Sequence, residues 1–161
     1  MSVPLTPANL STFLITETAL ELINDPGTPP KQPPVPGRAL TPAQAAEVGV
    51  TSPGMTLAYP AEGGRIVFCD IAASQLRVWF TGGDFADAPI VLDRALRAKF
   101  PSLLPLGQGD HPTNPALTVY RYAVPLAGVR VAQITVTHAA PEAKADDQLF
   151  FAEVVAQERT Q

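Results

Sequence analysis

Residues 117–138 carry the clearest structural signal in the sequence and read as two β-strands joined by a short turn. From Leu117 to Val124 the side chains alternate: Leu117, Val119, Arg121 and Ala123 take one face, and Thr118, Tyr120, Tyr122 and Val124 the other. Pro125-Leu126-Ala127-Gly128 makes a compact turn, because proline presets φ and glycine tolerates positive φ. From Val129 to Thr137 a strand rich in β-branched residues resumes.

Three more strands are predicted upstream, over 55–59, 65–71 and 75–81, divided by Gly63-Gly64 and by 72–74. The middle run, Ile66-Val67-Phe68-Cys69, is apolar on both faces, which predicts a central strand covered on both sides. The third alternates Leu76, Val78 and Phe80 against Arg77, Trp79 and Thr81. Residues 148–157 fit either a helix, through Phe150, Phe151, Val154 and Val155, or a strand face of Phe150, Ala152, Val154 and Ala156. The weight of Phe and Val favours the strand.

The best helix is 89–100, where Val91, Leu92, Ala95, Leu96 and Lys99 form one stripe opposite Asp93, Arg94 and Arg97. Asp87 is placed to cap it, and Pro101 ends it before a long loop over 101–116. A second helix is predicted over 6–24, with Thr6 as cap and Pro7 at the first position. Its apolar residues Leu10, Phe13, Leu14, Ile15, Leu20, Leu22 and Ile23 make no single stripe, so a strand over 12–18 is the alternative. Residues 26–37 carry six prolines and must be extended, either as a spacer or arm or, through the PxxP spacing of Pro30 and Pro33, as a ligand for an aromatic groove. Thr41-Pro42-Ala43-Gln44 matches a capping box and predicts a short helix to about Val48.

These elements predict an α+β fold: an antiparallel sheet of five or six strands, one main packed helix, and an N-terminal helix with a proline-rich arm. The division expected is 1–37 for the helix and arm and 38–161 for a single α+β domain. Length of 161 residues and 46% hydrophobic content suit one domain with a real core. A net charge of −4 with scattered basic residues argues against nucleic acid and anionic membrane surfaces as partners. Arginine outnumbers lysine and alanine and proline abound, the bias of a GC-rich bacterial coding sequence. No signal peptide and no apolar run of ~18 residues is visible, which makes the cytoplasm the default location.

Chemistry is thinly signalled. One cysteine excludes an internal disulfide and all but excludes a Cys-based zinc site. Cys69 with His111 or His138 is a conceivable nucleophile and base, yet Cys69 lies in the most apolar strand, where a thiol is inert. Asp110-His111 sits in a loop beside Gly107 and Gly109 and offers an acid–base pair or a solvated turn. His138 ends a strand at the surface. Two histidines make a poor metal site, so no metal and no cofactor is expected. Gly82-Gly83 between a strand and a helix resembles a phosphate cradle, but Asp84 and Asp87 place negative charge where the anion would sit. Tyr120, Tyr122 and Trp79 could line a ligand pocket or pair across strands.

Two classes of function remain, with a third behind them. The first is a non-enzymatic interaction or assembly protein, self-associating or binding another protein through Phe13, Leu14, Leu20, Ile23, Pro30 and Pro33. A chain starting near Arg38 is then expected to fold yet lose its association. The second is a small hydrolase or transferase using His111 with Asp110. The third is a small-molecule-binding module.

Overall fold

The computed structural model describes residues 5–24, 31–33, 35, 37–47, 55–72, 75–126, 130–144 and 147–158. In chain order these form α1 (Pro7–Phe13), a π-helical stretch (Leu14–Ala19), α2 (Leu20–Asn24), β1 (Arg38–Ala39), α3 (Pro42–Glu47), β2 (Met55–Ala61), β3 (Arg65–Ala72), β4 (Gln75–Thr81), α4 (Ala88–Lys99), β5 (Leu104–Asp110), β6 (Leu117–Pro125), β7 (Arg130–Ala139) and β8 (Leu149–Glu158). The fold mixes helix with one antiparallel sheet of eight strands in the order β1-β2-β3-β4-β8-β7-β6-β5. Two runs of four strands therefore lie side by side and meet at their last strands, β4 and β8.

The expected five or six strands were too few. The two additions, β1 and β5, are the sheet's edges. Every residue of β5 is exposed, and β1 has two residues, both exposed. An edge strand with no buried face shows no alternation, and β5 also carries Pro105, Gly107 and Gly109, which read as loop. Residues 149–158 are a strand, as their β-branched and aromatic content favoured.

Alternation sets the two faces of the sheet. Val67 and Cys69 of β3, Leu76, Val78 and Phe80 of β4, Phe150, Ala152 and Val154 of β8, and Ala132, Ile134 and Val136 of β7 are all buried on one face. Leu10, Leu14, Ile15, Ala19 and Leu20 from the N-terminal helix and Ala88, Leu92 and Leu96 from α4 join them in one core cluster. These residues of the N-terminal helix are thus covered by this chain's own sheet and by α4. Leu14 and Leu20 are fully buried, Ile23 is buried and Phe13 is half-buried. Pro33 is buried and Val35 packs on the core, while Pro30 lies outside the described residues. The physical reason for the untidy stripe is the π-helical stretch: its wider turn shifts the buried face partway along, so no single 3.6-residue period runs through residues 7–24.

Polar contacts fix this helix in place. Thr6 accepts the Asn9 N–H through Oγ1, and Asp84 accepts the Ala8 N–H at 3.0 Å. Gly82 and Gly83, with φ of 72° and 59°, make the turn that delivers Asp84 there. The Gly-Gly loop thus serves a helix start with a carboxylate of its own. Asp87, expected to cap α4, makes no side-chain cap. At the other end Arg130 Nη1 donates to Ile23 O at 3.0 Å. Lys99 Nζ donates to Thr16 O, Glu17 Oε2 and Glu21 Oε1 at 3.1, 2.8 and 3.0 Å, joining the end of α4 to the π-helical stretch and α2. The Thr41/Gln44 capping box forms reciprocally, with bonds of 3.0 and 3.2 Å.

Candidate interaction face

The residues proposed for chemistry are dispersed. Cys69 faces the helices and is fully buried; burial, and after it the Asp70 carboxylate, pushes its thiol up to about 12. Its row across the sheet is Cys69, Val78, Ala152 and Val136, which places β7 and its His138 three strand spacings away, ~14 Å. His111 lies just past β5. Its backbone N–H donates to Leu117 O at 3.0 Å, and Nδ1 lies 3.2 Å from both the N–H and Oγ1 of Thr113. The His111 ring therefore turns to Thr113, and not to Asp110. Asp110 instead shares a row with Thr118 and His138, two strand spacings from the latter. His138 stacks on Tyr120 with centroids 5.2 Å apart, and its Nε2 has no hydrogen-bond partner among the described residues. Among those residues no three His, Cys, Asp or Glu side chains cluster as metal ligands.

Trp79 parts company with the tyrosines. Tyr120 and Tyr122 face the helices, and the Tyr122 hydroxyl donates to Asp93 Oδ1 at 2.9 Å, locking β6 to α4. Burial first, and then this bond, raise the Tyr122 pKa well above the ordinary phenol range. Trp79 points to the opposite face, where the register sets Phe68, Trp79, Phe151, Thr137 and Val119 in one row over β3, β4, β8, β7 and β6. The Phe68 and Trp79 rings stack at 5.5 Å, and Trp79 and Phe151 tilt at 6.3 Å. All three are half-buried, and Ile66 beside them is 43% exposed. The expected double cover of β3 therefore fails at Ile66 and Phe68: their apolar run answers to an aromatic face rather than to a second helical layer.

A charged row runs beside the aromatic one: Asp70, Arg77, Glu153, Thr135 and Arg121. Glu153 Oε2 accepts from Arg77 Nε at 3.2 Å and Gln75 Nε2 at 2.6 Å. Asp70 is buried, and its Oδ1 has no hydrogen-bond partner among the described residues, because Arg77 turns to Glu153. At the β2–β3 end, Arg38, Ala58, Pro60 and Ile66 line a depression of about 270 Å³. Where β4, β6, β7 and β8 begin or end, Thr81, Asn114, Leu117, Ala139, Gln148 and Leu149 border a larger one of about 400 Å³.

Sequence reasoning singled out Trp79 but missed Phe68, Phe151 and Ile66 as its neighbours. The signal was present for two of them in the two-sided apolar run 66–69. The contact with Phe151 depends on the β4–β8 register, which joins residues far apart in sequence. No protein-family model, curated protein or solved structure matches this chain. No described helix is long and apolar enough to cross a membrane.

Proposed function

We propose that this chain is a non-catalytic interaction module whose working surface is the face of the sheet opposite α1 and α4. The observation that supports this is the row Phe68–Trp79–Phe151, with Ile66 at its edge: large apolar side chains only partly shielded, flanked by a charged rim of Arg77, Glu153 and Arg121. Aromatic centres with polar rims are the usual build of protein–protein contacts. The N-terminal residues Leu14, Leu20 and Ile23, first considered for this role, have their apolar surface engaged in the chain's own core. The hydrolase reading loses support from the separation of Cys69, His111 and His138.

Cross-linking in the native cell followed by mass spectrometry tests the reading. Ile66→Lys should abolish the cross-linked species, and Ile90→Lys, a somewhat more exposed site on the helical side, should leave them. Equal recovery with both variants would end it. A second reading, small-molecule binding, has one observation in its favour: the depression of about 400 Å³ bordered by Asn114 and Gln148 falls within the size range of ligand pockets.

A further inference from the structure

From the aromatic face we infer a specific occupant: a second copy of this chain, packed sheet against sheet around a two-fold axis. The inference rests on the interaction reading above and adds the partner to it.

Area carries the argument. From β3 to β5 the sheet crosses five strand spacings of ~4.8 Å, and strands of seven to ten residues run ~23–33 Å, so the face offers on the order of 700 Å². A standard stable interface takes roughly 600–1,000 Å² from each partner. One such face against its own copy meets that requirement, and it gives the aligned sheet packing of a β-sandwich, with layers ~10 Å apart. A two-fold contact uses the same patch on both subunits and closes after two, so it needs no other apolar surface.

Charge agrees with area. The chain carries −4, so two copies repel overall. From β3 to β5 the strand positions of this face hold Arg77 and Arg121 against Asp70 and Glu153, so the face escapes the chain's negative excess. Arg77 and Glu153 are already paired at 3.2 Å, so they enter the interface as a neutral unit rather than as two separate ions. The sheet edges offer less: β5 has Leu104 and Leu106 each 54% exposed, but Pro105, a bulge after it and two glycines interrupt its ladder, which are the devices that block edge pairing.

Trp79 is the chain's single tryptophan and stands in the middle of the proposed contact, so it reports on it directly. Analytical ultracentrifugation and tryptophan emission would be recorded on the full chain over the same dilution series. The mass should fall from two chains to one while the emission moves to the red, with one midpoint for both. Ile66→Lys should move that midpoint to at least tenfold higher concentration, and Ile90→Lys should leave it. Phe151→Lys should act like Ile66→Lys where circular dichroism shows it folded; if it unfolds, Ile66→Lys decides. A chain of monomer mass at every concentration overturns the inference, as does a dimer that dissociates without any change in Trp79 emission. If the chain is monomeric while Ile66→Lys still abolishes cross-links to another protein, the second copy is wrong and the interaction reading survives. If neither mass nor cross-links respond to Ile66→Lys, both fail.

Discussion

The Asp84 carboxylate accepts the backbone N–H of Ala8 at 3.0 Å, across 76 residues of sequence. The turn that ends β4 thereby caps the first helix. Asp84→Ala removes an acceptor from a helix start and should lower stability by about 1 kcal/mol in urea unfolding. Asp87→Ala, a neighbour that makes no such cap, should change little.

The N-terminal helix should behave as core. Leu14 and Leu96 are both fully buried, so Leu14→Ala and Leu96→Ala should each cost ~2–5 kcal/mol, read from denaturant midpoints. A chain beginning at Arg38 would expose the surface that Leu10, Leu14, Ile15 and Leu20 now cover, and light scattering should find it aggregated. The expectation drawn from sequence is that most of the core is complete without residues 1–37; the packing argues for the opposite outcome. A truncated chain with the full-length unfolding midpoint would contradict the packing.

What could be read in advance follows from burial. The β6–β7 hairpin, β2 to β4, α4 and the capping box of α3 all have one dry face or a local polar signature, and each was legible. The edge strand β5 had neither. The site was legible only in part, because a cross-strand row is assembled by register: Trp79 sits beside Phe68 through a short connection but beside Phe151 through one spanning most of the second half of the chain. Periodicity placed Trp79 on a face and could not say which other side chains shared its row.

Cys69 should ignore thiol reagents in the native protein and react once denaturant is added, since only the thiolate attacks and burial holds it protonated. The rapid native reaction of one thiol per chain would contradict its burial.

Alkali should destabilise the fold from several sites at once. Burial raises Cys69 and Tyr59 each to about 12, and burial with the Asp93 bond raises Tyr122. Above pH ~9–10 the unfolded chain releases these protons while the native chain keeps them, so the unfolded state binds fewer protons and stability falls as pH rises. Lys99 is also raised, through its bonds to Glu17 and Glu21, so its contribution is complete below 10.5 and is lost above it. Thermal midpoints that stay level from pH 9 to 11 would refute this.

Acid acts on the same link from its other side. The Lys99 hydrogen bond holds the Glu17 carboxyl below its usual range, so its contribution is complete above pH ~4.5 and disappears as pH falls through the lowered value. Both side chains are about a quarter exposed, 26% each, so Glu17→Gln should cost only ~0.5–1 kcal/mol at neutral pH. The difference from the parent chain should shrink as the pH is taken down from 4.5 through the lowered value. A gap in urea midpoints that stays constant over that range would show another cause.

The position of β8 has a consequence for synthesis. It is made after the other seven strands, yet it lies between β4 and β7 in the interior of the sheet. Until it is in place, β4 and β7 each lack a neighbour on that side, so any half-sheet formed earlier has an open inner border. The late arrival of one segment converts both borders into ladder at once, so the interval just before it is when a nascent chain is most open to mispairing with its neighbours on a polysome.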